Sequence, residues 1–423
     1  MKVPSSPAEA DMPPLDPIHA NIESPPSTPV RRLPLVPIGG LSWRLRDKQD
    51  KTASGPAPGP RKQSLTVSPL SASRARRFRR FGRRAALWFL FWYVVIQIVP
   101  TLLKDRWHRI GPYYEIHKWP ELEQLVAEDP KRPLLVMVGS SRTAWDFQAS
   151  ALDGMADSDG RPMLVYNFGV PSTGPCFQLF CLRDMLAKGI RPRFLLIEFL
   201  PALLTEGRRG VMTEDGMLEF ESLNAHRMLQ WMPYLRNPKK WANLWIEARV
   251  APCYTFRNHL VGELKSLVTG EPMPKHAPID HRGWHVALPV LDPLVHETYL
   301  AAARAGYGPG LMDFRLGKTQ YRVIHELLDL CRREKIPSAL VMMPEDSHFR
   351  SWYSPEAKTA VRNLLEELRQ TYGVECIDAQ YWLPDYDFED GHHALLDGAM
   401  IFTRRIRAEL PRLLARSKVV KSD

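Results

Sequence analysis

From Arg132 onward, short apolar runs alternate with amphipathic stretches. Leu134–Gly139 (LLVMVG), Met163–Phe168, Phe194–Phe199, Ser338–Met343 and Val374–Ile377 read as strands. Phe177–Lys188, Thr319–Arg333, Pro355–Thr371 and Leu395–Leu414 read as helices. Strands this uniformly apolar need cover on both faces, and strand–helix alternation supplies it through a parallel sheet with helices above and below. The expected fold class is therefore α/β, a three-layer parallel sheet with helices on both faces, over residues 131–416 with a short tail at 417–423. Between Leu203 and Gly317 the rhythm breaks into a stretch rich in Trp, Arg and Pro. Helices are expected there around Ser222–Leu235 and Lys239–Leu260. This stretch, about 204–317, reads as a mainly helical insertion over the carboxyl edge of the sheet. No internal repeat is visible.

Ala85–Leu103 (AALWFLFWYVVIQIVPTLL) carries no charge over its 19 residues. As a helix it is about 28 Å long, close to the hydrocarbon thickness of a bilayer. Arg74, Arg76, Arg77, Arg79, Arg80, Arg83 and Arg84 abut its start. A helix buried in a protein core would not account for them; an uncleaved transmembrane signal anchor would. The positive-inside rule then leaves residues 1–84 cytoplasmic and puts the C-terminal domain across the cell membrane, in the periplasmic direction. The segment from residue 104 to 130 is expected to be a short stalk.

Residues 1–84 are rich in Pro and Ser, as in Ser24–Pro29 (SPPSTP) and Ser54–Pro60 (SGPAPGP), and show no lasting hydrophobic period. Such a segment buries too little apolar surface to offset its chain entropy and is expected to be disordered. Up to Arg84 there are 16 Lys and Arg against 6 Asp and Glu, so this tail accounts for the whole formal net charge of +10. The folded part is neutral overall, and nothing in it points to nucleic acid. The five cysteines, Cys176, Cys181, Cys253, Cys331 and Cys376, include no CxxC pair and read mostly as buried thiols, with a Cys176–Cys181 bridge left open.

The residues that suggest chemistry lie at the two ends of the domain. Gly139-Ser140-Ser141-Arg142 follows the first strand, where open parallel sheets place ligands. Serines there also commonly cap the next helix. Phe388-Glu389-Asp390-Gly391-His392-His393 follows the last strand. With three-residue spacing, Asp390 can accept the Nδ1–H of His393 and leave Nε2 as a base for Ser141, a Ser-His-Asp arrangement for acyl transfer. His392 is the rival base. A metal held by Asp390, His392 and His393 lacks a further ligand at useful spacing. No G-x-G-x-x-G loop follows the first strand, so a dinucleotide has no cradle and no cofactor is expected. Gly169, after the second strand, allows a backbone N–H close to a developing oxyanion beside the N–H of Ser141. Asn167, Arg142 and Glu198 are candidate substrate or wall residues; Glu198 could instead pair with Arg142 or cap a helix. Pro344-Glu345-Asp346-Ser347-His348 reads as another wall of the site or a surface loop.

Together these pieces resemble the SGNH hydrolase superfamily. Gly139-Ser140-Ser141 is similar to its first block, with Ser140 where Asp is usual. Gly169 stands at the second-block glycine, and Asp390-Gly391-His392-His393 fits the Asp-x-x-His of the fifth. The third block, Gly-x-Asn-Asp, is absent: Ile197-Glu198-Phe199-Leu200-Pro201 stands there. The likeness covers roughly Arg132–Leu414 apart from the insertion. It is strongest to membrane-anchored members such as alginate O-acetylation and teichoic-acid D-alanyl transfer proteins. The resemblance implies a flavodoxin-like sheet, with Ser141 as nucleophile, His393 as base and Asp390 as its orienting acid. It further implies esterase or O-acyltransferase activity on a cell-envelope polysaccharide, beside a membrane-bound O-acyltransferase partner, or an inactive glycan-holding adaptor.

Overall fold

The computed structural model describes residues 81–97 and 113–419, apart from short gaps between 208 and 291. The chain divides into two units, Met1–Ser71 and Ala72–Asp423. The first, expected to be disordered, lies outside the described residues.

Five strands, β1 (Leu134–Gly139), β2 (Leu164–Gly169), β3 (Phe194–Glu198), β4 (Ser338–Met342) and β5 (Glu375–Asp378), form one parallel sheet in the order β2-β1-β3-β4-β5. The order reverses between β1 and β3, the point at which doubly wound sheets open a crevice at their carboxyl ends. Strand alternation feeds two cores. Val136, Val138, Tyr166, Phe168 and Ile197 face one side, with Leu182 of α3 (Pro175–Ala187), Leu327 of α7 (Lys318–Arg333) and Leu364 of α9 (Pro355–Tyr372). Leu135, Met137, Val165 and Leu196 face the other, under Phe402, Ile406 and Leu410 of α10 (Leu396–Val419). Each such fully buried side chain contributes about 1.5–3 kcal/mol relative to exposure.

The ends of α9 show the local rules at work. The Ser354 side chain accepts from the Ala357 N–H at the start, and Gly373 ends the helix in the left-handed region at φ 66°.

Two segments depart from expectation. The stretch read as a stalk contains α1 (Tyr113–Glu128), whose Trp119 and Leu122 are buried in the first core. Lys118 beside them is fully buried, donating to the carbonyls of Asn167 and Gly283, and burial lowers its pKa to about 7. The insertion contributes no strand to the sheet. Beyond α4 (Ala225–Trp231) and α5 (Pro238–Val250) it contains the 20-residue helix α6 (Pro293–Met312), which sequence reasoning did not pick out. In α6, Gly306 and Gly310 bring the helix against Met212 and Thr205; an added Cβ would sit 2.4 and 2.9 Å from those side chains. Residues 81–97 are helical. Among the described residues no helix is long and apolar enough to cross a membrane. Residues 98–103, the rest of the expected anchor, lie outside them. The five cysteines are all free.

Candidate active site

The carboxyl end of β1 is shaped by a carboxylate. At Gly139 an added Cβ would lie 2.0 Å from Thr143 Oγ1 and 2.3 Å from Glu198 Oε2, so only glycine fits. The chain then turns into the short helix α2 (Ser141–Asp146), capped by Ser140, whose Oγ accepts from the Arg142 N–H. Glu198, the last residue of β3, accepts from Ser140 N (2.6 Å), Ser140 Oγ (2.8 Å) and Thr143 Oγ1 (2.7 Å). It thus bridges the point where the strand order reverses, and fixes the backbone on which Ser141 sits.

Asn167 holds the other end of α2. Its Nδ2 donates to Thr143 O (2.7 Å) and Phe147 O (2.6 Å), while its Oδ1 accepts from Gly169 N (2.8 Å). An added Cβ on Gly169 would approach Ala144 N to 2.2 Å. Two expectations change here. The Gly169 amide is already donated within the protein, so its glycine serves close packing of α2 on β2, not an oxyanion. Asn167 is buried behind the helix and is not a wall of the site.

The last core turn meets this helix. Asp390 Oδ1 accepts from the backbone N–H groups of His392 (3.1 Å) and His393 (2.9 Å), closing a tight turn through Gly391 at φ 89°. Asp390 Oδ2 lies 2.7 Å from His393 Nδ1, and His393 Nε2 lies 2.7 Å from Ser141 Oγ. Asp146 Oδ1 receives the Ala394 N–H at 2.9 Å, tying the end of α2 to the same turn. His392 also approaches Asp390, with Nδ1 3.0 Å from Oδ1. Its ring is packed edge-on by Tyr307 at 4.9 Å and tilted against Phe349 at 5.3 Å.

Electrostatics separates the two imidazoles. Burial lowers the pKa of His392. Burial also acts on His393, but Asp390, with Asp146 and Glu389 beyond it, outweighs it and raises that pKa above 6.5. Asp390 is held well below the usual carboxylate range, because the two histidines outweigh its own burial. A serine hydroxyl, a basic imidazole and an ionised carboxylate in line can pass a proton from Oγ to Nε2 while Asp390 stays charged. Asp390, His392 and His393 also place potential metal-ligand atoms within 4.8 Å of one another. In this arrangement both ring nitrogens of His393 are engaged by Asp390 and Ser141.

Arg142 pairs with Glu345, not with Glu198. Its guanidinium lies 3.3 Å from Glu345 and donates to Pro344 O at 2.7 Å. Glu345 also accepts from Tyr353 and Gln380. Pro344–Asp346, before the short exposed-faced helix α8 (Ser347–Ser351), is therefore a buried support: Asp346 N donates to Gly391 O, fixing the turn that carries His393.

Several residues here were not legible as site residues. Trp145 packs its ring 5.5 Å from His393 and 4.9 Å from His285. His296 of α6 meets Glu389 O at 2.9 Å. Among the described residues Ser172 is one of two non-glycine residues with positive φ, at 61°, in the loop after β2. Its neighbours are tethered: Val170 N and Thr173 Oγ1 donate to Gly139 O, and Gly174 N donates to Glu214 Oε1. Among the described residues neither Ser141 N nor Ser172 N has an acceptor. A serine held in the left-handed region costs about 1–3 kcal/mol, a kind of strain that clusters at functional sites. The Pro171-Ser172-Thr173-Gly174 run was the available signal.

A family model described as a protein of unknown function (DUF1574) matches residues 89–232, from the apolar segment into the insertion. No curated protein matches the sequence. One similar solved structure is described as BT4096, a gut microbial diltiazem-metabolizing enzyme. Identity to it is 13% and the TM-score 0.21, over 66% of this chain and 47% of that one. The chain thus spans about half the length of the structure it matches.

Proposed function

We propose that the domain is a serine esterase or O-acyltransferase of SGNH type. The observation that carries this reading is the run from Ser141 Oγ through both nitrogens of His393 to Asp390, each step 2.7 Å. His393 takes the Oγ proton as Ser141 attacks an ester carbonyl. The imidazolium returns that proton to the departing alkoxide, leaving an acyl-serine. His393 then deprotonates the acceptor hydroxyl, whose oxygen attacks the acyl carbon, and the imidazolium returns the proton to Ser141 Oγ as it leaves. With water the product is an acid, and with a sugar hydroxyl it is a new ester. The N–H groups of Ser141 and Ser172 are the oxyanion donors in this scheme, in place of the third-block Asn and of Gly169.

The location is part of the proposal. The arginine cluster and Ala85–Leu103 favour a single-pass anchor with the domain outside the cytoplasm. There the acceptor is a cell-envelope polysaccharide, and a membrane-bound O-acyltransferase is the fitting acyl source. A catalytically silent, glycan-holding adaptor is the second reading, favoured by Glu198 in place of the third-block Asn.

A serine-directed fluorophosphonate separates the two. The purified wild type should be labelled and Ser141→Ala should not; a wild type that never labels favours the adaptor. The pH dependence is a second test. The base works only when neutral, and its pKa is raised, so kcat/KM for an ester should rise with pH along an acid limb centred above 6.5. A limb below that value would remove His393 from the base role.

A further inference from the structure

The apolar helix at residues 81–97 is bare over most of its surface, with Trp88 61% and Phe89 75% exposed. Two of its polar side chains nevertheless have partners on the insertion. Tyr93 Oη donates to Val250 O at 3.2 Å, and Gln97 Oε1 accepts from Cys253 N at 3.3 Å. The Cys253 thiol in turn donates to Ile96 O at 3.2 Å. A lipid-facing helix cannot leave such groups unpaired cheaply, since the hydrocarbon offers no hydrogen bonds. Within the proposed span Ala85–Leu103, Tyr93 stands near the middle and Gln97 towards the domain.

The insertion segment that makes them exposes a series of apolar side chains, with Glu247 and Lys265 exposed among them. Ile246, Val250, Tyr254, Val261 and Val268 are 50–77% exposed. Its arginines are folded back. Arg249 lies 3.6 Å over the Trp245 ring and donates to Trp245 O and Leu223 O. Arg257 lies 4.4 Å over the Tyr254 ring and donates to Tyr254 O. Guanidinium groups that use aromatic faces and backbone carbonyls suit a depth where the charge reaches the headgroups while the stem stays in an apolar layer.

We infer that the insertion dips into the leaflet beside the anchor, presenting Ile246, Val250, Tyr254, Val261 and Val268 to lipid acyl chains. This rests on the anchor proposed above and adds a second, monotopic contact. Two contacts fix the tilt of the domain, and so the height and orientation of Ser141 above the bilayer, which one helix followed by a linker would leave free.

The test uses the full chain, with Cys253→Ser as parent, in phosphatidylcholine–phosphatidylglycerol vesicles. Bimane is placed on V250C, Y254C or V261C, and on Y386C or K358C as exposed controls. Nitroxide lipids should quench the three insertion labels several-fold more strongly than the controls, with melting unchanged from the parent. Quenching no greater than at the controls overturns the inference. So do labels shielded from both nitroxide lipid and aqueous iodide, which would mark a protein occupant of this face. Alkaline extraction separates the two readings: release of the chain sinks the anchor and the dip together, whereas a retained chain with unquenched labels sinks the dip alone.

Discussion

Ser141→Ala is expected to lower kcat for hydrolysis of an aryl acetate by about 10⁴-fold or more, leaving only what oxyanion donors and binding supply. The substitution should cost little stability, because Ser141 Oγ is engaged only by His393 Nε2, while the cap of α2 is provided by Ser140. Asp390→Asn should have an effect of similar order, about 10⁴-fold, for a different reason. The amide can still accept from the two backbone N–H groups of the turn, so the loop keeps its shape. Its other end no longer holds the Nδ1–H tautomer or stabilises the imidazolium. Kinetics on both variants, with circular dichroism to verify folding, checks the assignment. Ser141→Ala activity within tenfold of wild type would refute a nucleophilic serine at this position.

The second large effect concerns a residue that touches no proposed reactant. Glu198→Ala removes the acceptor for Ser140 N, Ser140 Oγ and Thr143 Oγ1 at once, deep in the crevice. Each buried donor left unpaired costs about 1–3 kcal/mol, more for bonds to a charged partner, so a loss of about 3–5 kcal/mol is expected. Chemical denaturation measures it directly. Glu198→Gln is the informative companion. The amide keeps one acceptor oxygen and replaces the other with an NH₂ that meets a donor, so a smaller loss is expected, with activity reduced through displacement of Ser141. If Glu198→Ala unfolds at the same denaturant concentration as wild type, the carboxylate is not the clamp described.

The sheet was legible because its strands are short, apolar and bounded by Gly or Pro; their observed limits shift by only a residue at either end. The pairing of Asp390 with His393 was legible from spacing, since a three-residue turn leaves few other ways to place two side chains together. The roles of Gly169 and Asn167 were not. A glycine after a strand reads alike whether it opens a backbone N–H to a ligand or admits a neighbouring helix, and only the 2.2 Å approach to Ala144 N distinguishes the two. The partner of Arg142 was hidden for a similar reason: the loop after β4 reaches it across 203 residues of sequence, and no local pattern encodes that contact. Helix α6 escaped notice because Gly306, Gly308, Pro309 and Gly310 resemble loop composition, although those glycines are what let it pack tightly.

Ser141 and His393 are separated by 252 positions in the chain. At about 5–20 residues per second of synthesis, the hydroxyl leaves the ribosome roughly 10–50 s before its base exists. Throughout that interval the nascent chain holds an ordinary alcohol, unable to capture acyl groups from esters it meets on the way. In the proposed mechanism, reactivity appears only once the turn that carries His393 has been made and has closed against α2.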